Sequence, residues 1–278
     1  MNTYFIAAMK RTGQHAIVNW LAQQLTHDSI HFNNCIKGWE KKQLIAMKPA
    51  MAVFYGWNEE NKNHKIKNFF HDWKLDKQKS LSLQEEFFKG VKNNQFVNIK
   101  SVFYNVEDFD LDEYNKNKFH TFPQLQNLKK VKHILIVRSA HNFVASCLQR
   151  KLDPPDPGAT DVADFLSQRM LLWKQHAKEA LGENSRYYTI KFDTWFTSID
   201  YRRKICDDLG LTFSDNGLNT VMNFGSGSSF DGQNFDENAQ KMKVINRWIQ
   251  YEDKDELFSY IDDETKELNQ KLFGKAEG

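Results

Sequence analysis

Two stretches of the chain carry residues that could bind anions. The first is TYFIAAMKRTGQHAIVNWL, residues 3–21, in which an apolar run leads into Lys10, Arg11, Thr12 and Gly13. A strand, a glycine-containing turn and a helix together direct backbone N–H groups and the positive end of the helix dipole at the turn. The stretch therefore predicts a phosphate-binding loop, although an ordinary turn with exposed basic residues also fits it when it is taken alone.

This loop differs from the loop of nucleoside triphosphatases. That loop reads G-x-x-x-x-G-K-[ST], and its hydroxyl binds Mg²⁺ directly after the lysine. Here Gln14 and His15 follow Gly13, and the cations Lys10 and Arg11 come before it. The sequence therefore disfavours a metal-dependent kinase, which we keep as an alternative.

The second stretch is HILIVRSAHNFVAS, residues 133–146, in which Arg138 ends an apolar run and Ser146 follows eight residues later. An arginine at the carboxyl end of a strand faces the crevice where α/β proteins bind ligands. Its guanidinium can hold a phosphate through two parallel hydrogen bonds, and a serine hydroxyl can add a third. Because this strand ends in a cation, it predicts an anion site and not a metal site.

The elements that would position these residues alternate between strands and helices. Strands are predicted for residues 3–8, 29–34, 51–57, 95–101, 131–139 and 186–192. Helices are predicted from residue 14, over 81–91, 141–151, 162–177 and 199–209, and beyond 238, whereas 58–79 is predicted to be irregular. Alternation of this kind predicts one α/β domain over residues 1–278, with a central parallel sheet flanked by helices in three layers, as in P-loop proteins.

Composition limits the classes of function. The chain has 278 residues, 40% hydrophobic and 14% aromatic, and a net charge of +2, so no overall basic charge indicates nucleic-acid binding. Cys35, Cys147 and Cys206 match no zinc or disulfide pattern, and we expect Cys147 and Cys206 to be core residues. Because the first apolar run precedes its basic residues, no signal peptide is predicted, and no window is long enough to span a membrane. We expect a cytoplasmic protein.

The two anion motifs together resemble those of the sulfotransferases that use 3′-phosphoadenosine 5′-phosphosulfate (PAPS), more closely the carbohydrate and bacterial types than the cytosolic phenol enzymes. In that family the loop K/R-[ST]-G-[ST]-[ST] binds the 5′-phosphosulfate, and Arg11, Thr12 and Gly13 match its first three positions. An arginine and a serine eight residues apart bind the 3′-phosphate, a spacing that Arg138 and Ser146 match. The resemblance implies a P-loop-like fold and no metal.

Weaker correspondences extend the resemblance to about residue 248. Lys100 lies where cytosolic members carry Lys-Thr-His, and Val102 stands at the histidine position. The segment TIKFDTW, residues 189–195, resembles the one that contacts adenine, with Phe192 as the candidate. The segment GSGSSFDG resembles a late glycine-rich loop that closes over the 3′-phosphate. Its candidate ligands are Gly227, Ser228 and Ser229.

The resemblance implies sulfuryl transfer to a hydroxyl or amine, with adenosine 3′,5′-bisphosphate (PAP) as the product. Arg11 is the candidate cation for the leaving phosphate, with Lys10 and Lys100 as rivals. Because Val102 replaces the family's histidine, another residue must act as base, and Glu107 is the first candidate. The other candidates are Asp108, His31 and His15.

The cofactor motifs fall in residues 3–26, 95–151 and 186–248, and residues 37–122 form a probable acceptor-site insert rich in aromatic residues. Nothing in the insert names the acceptor, for which a glycan or a small metabolite is expected rather than a protein or nucleic acid. A nucleotide-binding homologue without catalytic activity is a further alternative. The oligomeric state and the pathway stay open.

Overall fold

The computed structural model describes residues 2–40, 43–68, 99–108, 110–111, 131–149, 162–222, 227–251 and 253–274. The described strands are β1 (Asn2–Ala8), β2 (Asp28–Glu40), β3 (Gln43–Asn58), β4 (Asn63–Asn68), β5 (Ile99–Glu107), β6 (Val131–Val137) and β7 (Tyr188–Lys191). They form one sheet in the order β4-β3-β2-β5-β1-β6-β7.

Five neighbouring strands, β2, β5, β1, β6 and β7, run parallel, which confirms the predicted α/β fold with a central parallel sheet. At one edge β3 and β4 pair antiparallel, which the sequence did not predict. The prediction of irregular structure was wrong for β4. That strand is polar, and its one large apolar side chain, Ile66, is 39% exposed, as is common at the edge of a sheet.

Helices cover both faces of the sheet. They are α1 (Gln14–Gln23), α2 (Ala140–Gln149), α3 (Val162–Leu181), α4 (Phe192–Thr197), α5 (Ile199–Leu209), α6 (Arg247–Gln250), α7 (Lys254–Ser259) and α8 (Asp263–Phe273). Tyr4 and Ile6 of β1 pack in one cluster with α1 and α5, whereas Phe5 and Ala7 lie in a second cluster against which Phe273 of α8 packs. Since successive side chains of a strand point to opposite faces, this gives the predicted three layers.

The parallel register brings the ends of several strands to one edge. Ala8 of β1 is paired with Glu107 of β5 and with Ile136 of β6, so the turn after β1 lies between the ends of its two neighbours. Strand β5 extends beyond the predicted end at residue 101, and Glu107 is its last residue.

Several other predictions can be compared with the described residues. Cys206 is buried in the core as expected, and Cys147 is partly buried against it. The tail from residue 238 forms short helices and 3-10 turns. The predicted helix at 81–91 and most of the second half of the proposed insert lie outside the described residues.

Candidate functional site

The loop between β1 and α1 has an unusual backbone. Arg11 adopts φ 73° and Gly13 adopts φ 80°, so two residues of this short turn have left-handed conformations. The backbone N–H and the side-chain hydroxyl of Thr12 both donate to the carbonyl of Met9, at 3.2 and 2.7 Å. Helix α1 starts directly after Gly13, so its first N–H groups face the loop, as an anion site requires.

Gly13 is needed at this position for a second reason. A Cβ atom there would lie 2.1 Å from Cε2 of Phe192, the first residue of α4. The Phe192 ring is 5% exposed and also packs against Trp195 and Phe196, at centroid distances of 5.6 and 6.1 Å. This placement does not fit the predicted adenine contact, because the ring is enclosed by the protein. Phe192 instead packs against the loop at Gly13.

Arg138 lies beside the same loop, where the sequence predicted it. Its side chain donates to the carbonyl of Arg11 at 3.1 Å and to the carbonyl of Val244 at 2.9 Å. The guanidinium also stacks on Phe192 at 5.0 Å. The residue is 3% exposed, and within the described part of the chain its Nε is buried without a hydrogen-bond partner.

Asp193 is the carboxylate that raises the pKa of Arg138, but its hydrogen bonds go to other residues. Asp193 accepts from the backbone N–H and the hydroxyl of Ser139, both at 2.8 Å, and from Asn142 at 3.1 Å, so it closes the amino end of α2. Burial lowers the pKa of Arg138 to about 10, and Asp193 partly offsets that effect. Arg138 therefore keeps its charge at neutral pH while its hydrogen bonds go to neutral carbonyls.

The glycine-rich loop meets α2 at the predicted serine. The hydroxyls of Ser146 and Ser229 lie 2.6 Å apart. The backbones of Ser228 and Gly232 exchange two hydrogen bonds, which holds this loop in a tight turn. Gly227 adopts φ 75°, and a Cβ there would lie 2.5 Å from the carbonyl oxygen of Gly232. The structure thus brings Arg138, Ser146 and the glycine-rich loop to one place.

Arg247 is a member of this group that the sequence did not reveal. It is 5% exposed and donates to the hydroxyl of Ser228 at 2.7 Å and to Asp231 at 2.8 Å. It is close enough to Arg138 to lower the pKa of that arginine further. No strand precedes it and no spacing marks it, since it begins the four-residue helix α6.

On the other side of the loop, α1 and β5 share a polar network. Gln14 donates to Glu107 and accepts from the Asn105 side chain at 3.3 Å. Nε2 of His15 lies 3.3 Å from Oε1 of Glu107 and 3.0 Å from Oδ1 of Asn33. The predicted base candidates Glu107 and His15 are therefore in contact with one another.

His31 belongs to the buried end of this network. It is 1% exposed, and its Nε2 lies 2.8 Å from Oδ1 of Asn105. Burial lowers the pKa of His31 to about 3, and the hydrogen bond to Asn105 offsets only part of that effect. An enclosed imidazole of such low basicity does not suit a base that must meet a substrate.

Asp108 is held by the protein in a similar way. It adopts φ 56°, accepts from the backbone N–H of Lys10 at 3.0 Å, and pairs with the buried guanidinium of Arg169. The Lys10 ammonium lies 3.7 Å from the same carboxylate, so its side chain is directed at the end of β5. Burial lowers the pKa of Arg169 to about 10, and Arg11 contributes to that shift. The Arg11 guanidinium is therefore near this side of the loop.

Lys100 lies far from the loop. The register pairs Ala8 with Glu107, seven residues further along β5, at a rise of about 3.3 Å per residue. Lys100 is exposed at the amino end of the strand, where its charge contributes to lowering the pKa of His27. The expectation that it faces the transferred group is not supported, because the strand continues to Glu107, beyond the predicted end at residue 101.

Two further properties concern only the described ranges. They contain no group of three or more His, Cys, Asp or Glu residues placed to hold a metal ion. None of their helices is both long and apolar enough to cross a membrane.

Comparison with known proteins gives similarity of fold. No protein-family model matches the chain, and no curated protein is similar to it in sequence. A mouse sulfotransferase solved in complex with PAP is similar in structure with a TM-score of 0.47 and 14% identity, over 98% of this chain and 89% of the other. The sulfotransferase domain from the curacin biosynthetic pathway gives 0.49 and 14%, over 97% and 96%. At these values the matches assign no activity to this chain.

Proposed function

We propose that this protein is a PAPS-dependent sulfotransferase, which moves a sulfuryl group from PAPS to a hydroxyl or amine without a metal. The observation that carries the proposal is the environment of Arg138. Its buried guanidinium bonds two neutral carbonyls, and its Nε lacks a hydrogen-bond partner among the described residues. A buried cation without a bonded carboxylate suits an anion from outside the protein.

The surrounding groups fit a nucleotide that carries phosphate at both ends. Arg138, Ser146 and the loop residues Gly227, Ser228 and Ser229 would hold the 3′-phosphate. Arg247 would add a second cation there, since its Nε is also buried without a partner in the described part of the chain. The loop formed by Lys10, Arg11, Thr12, Gly13, Gln14 and His15 would hold the 5′ end.

The protein's part in the chemistry is then positioning and charge stabilisation, as in phosphoryl transfer. Arg11 is the cation we assign to the negative charge that grows on the departing phosphate. Its neighbour Lys10 is directed at Asp108, which leaves Arg11 the better candidate of the two. The network that contains Glu107 faces the opposite side of the loop, where the acceptor would approach, and we propose a glycan or small hydroxylated metabolite as acceptor.

Calorimetric titration with PAP in the presence of EDTA tests the proposal. We expect micromolar or tighter binding by the wild type. Arg247→Ala should weaken it by about 2–5 kcal/mol, because a buried charged partner is lost. Arg203→Ala, which removes an exposed arginine of α5, is the control and should bind as the wild type does.

A titration with ATP and Mg²⁺ and an assay of PAPS turnover distinguish the two alternatives. Binding of ATP with Mg²⁺, but not of PAP, would contradict the sulfotransferase assignment and support a kinase. Tight PAP binding without any turnover of PAPS would support a nucleotide-binding homologue that has lost catalysis.

A further inference from the structure

The sequence left the identity of the catalytic base open among four residues. The contact between His15 and Glu107 distinguishes among them. We propose that His15 is the catalytic base that takes the acceptor's proton, and that Glu107 is a positioning residue which orients and stabilises the imidazole. The proposal rests on the sulfuryl transfer proposed above.

The position of His15 suits this role. It is the second residue of α1, two residues after Gly13, so its side chain starts within one helical turn of the loop that would hold the 5′ end. Its imidazole is 27% exposed, whereas the Glu107 carboxylate behind it is 6% exposed. Of the two groups, the histidine is the one that an acceptor can reach.

Glu107 is held in place by its neighbours. Gln14 donates to it, and Asn105 in turn donates to Gln14 at 3.3 Å. Oδ1 of Asn33 fixes the same edge of the His15 ring, at 3.0 Å from Nε2. A carboxylate and an amide oxygen on one ring edge orient the imidazole, as second partners of catalytic histidines do.

The other candidates for the base are enclosed by the protein or held in ion pairs. His31 is enclosed and bonded to Asn105, and Asp108 is paired with Arg169 and Lys10. Among the four candidates for the base, His15 is the one that combines a solvent-exposed side chain with a carboxylate partner.

The step that follows is balanced without a further reactant. The acceptor oxygen forms a bond to the sulfur of the sulfuryl group, and the bond from that sulfur to the bridging oxygen of the 5′-phosphate breaks. The electron pair of the broken bond stays on the phosphate of PAP, beside Arg11. The hydroxyl proton moves to the His15 imidazole, and the positive charge formed there is stabilised by Glu107.

The first test uses PAPS turnover to PAP and sulfate, with water as the acceptor. His15→Ala should lower the rate by about 10²–10⁴-fold, the usual contribution of a general base, and added imidazole should restore part of it. Because the loop would hold the 5′ end mainly through its backbone N–H groups, the dissociation constant of His15→Ala for PAP should stay within about threefold of the wild-type value. Glu107→Gln should lower the rate less, and imidazole should not rescue it.

His27→Ala is the matched control. His27 is also partly exposed and has a side-chain hydrogen bond, at 2.8 Å to Ser101, but it lies at the amino end of the sheet. This variant should keep the wild-type rate.

A second readout does not depend on turnover. Diethyl pyrocarbonate modifies neutral imidazoles, and mass spectrometry locates the product. His15 should react in the free protein and react several-fold more slowly with saturating PAP, whereas the enclosed His31 should stay unmodified in both states.

The possible results distinguish the role of His15 from the sulfotransferase assignment on which it rests. Failure of the wild type to bind PAP would remove the sulfotransferase assignment itself. PAP binding without PAPS turnover by the wild type would support the homologue that has lost catalysis and would remove both proposals. With PAP bound and PAPS turned over, two results would each overturn the role of His15 alone: full turnover by His15→Ala, or equal modification of His15 with and without PAP.

Discussion

Arg138 and Arg169 lie on opposite sides of the loop between β1 and α1 and are buried to the same extent, at 3% exposure each. Burial lowers the pKa of each guanidinium to about 10. They differ in their partners, because Arg169 is paired with the carboxylate of Asp108 and Arg138 bonds two carbonyl oxygens. One charge is neutralised within the protein and the other is not.

This difference indicates what each side of the loop can do. A buried ion pair such as Arg169–Asp108 fixes the end of β5 and needs no ligand. A buried cation bonded only to neutral acceptors keeps the capacity to bind an anion. Ser146 contacts Ser229 of the glycine-rich loop, and Arg247 contacts the same loop at Ser228. We therefore place the nucleotide on the β6 side and proton transfer on the β5 side.

The largest expected effect is at the boundary between the two sides. Gly13→Ala combines a left-handed backbone with a clash of the new Cβ against Phe192, at 2.1 Å. Strain and overpacking together should lower the free energy of unfolding by about 2–5 kcal/mol. Urea denaturation measures this loss, and PAP binding should weaken with it because the loop must move.

The control for Gly13 is Gly210→Ala. Gly210 has a similar φ of 64°, but no atom lies within 4 Å of the position that a Cβ would take there. The free energy of unfolding of this variant should fall only by the cost of backbone strain, about 1–2 kcal/mol. Equal losses for the two variants would contradict the packing of Phe192 against the loop.

The β5 side should be sensitive to acid through His31. Its pKa in the folded protein is about 3, below the ordinary value of 6.5, so the unfolded chain binds the proton more readily. Stability is therefore unaffected well above pH 6.5 and falls as the pH decreases below it, by about 2 kcal/mol at pH 5. Urea denaturation at pH 7.5 and pH 5 measures the change.

His31→Gln should lose this part of the acid sensitivity. Some should remain, because burial also lowers the pKa of His27, His64 and His141. An unchanged difference between the two pH values in the variant would show that His31 is not buried in its neutral form.

The smallest expected effect is on the β6 side. Ser146→Ala removes one hydroxyl of the pair that lies 2.6 Å apart. Loss of one hydrogen bond to the nucleotide should weaken PAP binding by about 0.5–1.5 kcal/mol. Calorimetry measures the change, and Ser167→Ala, on the exposed face of α3, should bind as the wild type does. Wild-type affinity in the Ser146 variant would remove this serine from the site.

The sequence predicted the β6 side better than the β5 side. The loop and Arg138 each follow a strongly apolar strand, so local pattern alone placed them at the carboxyl edge of the sheet. Ser146 followed from the spacing on the next helix. Arg247 was missed, because it reaches the site through the packing of a short helix that no local pattern marks.

Two placements differ from expectation, one on each side, for reasons of strand register and of burial. Strand β5 continues to Glu107, beyond the predicted end at residue 101, so Lys100 lies far from the loop and Glu107 lies beside it. A sequence also cannot show whether an aromatic ring is enclosed, and Phe192 was therefore assigned to adenine although it packs beneath Gly13.

The central claim is that Arg138 binds a phosphate on the ribose of the nucleotide. The most direct measurement compares the dissociation constants of PAP and 5′-AMP, without metal, for the wild type and for Arg138→Ala. The wild type should prefer PAP by at least the 2–5 kcal/mol typical of one buried charged contact, about 30-fold or more, and the variant should lose most of this preference and keep only the part that Arg247 and Ser146 supply. A wild type that does not distinguish the two nucleotides, or a variant that keeps the full preference, would contradict the account.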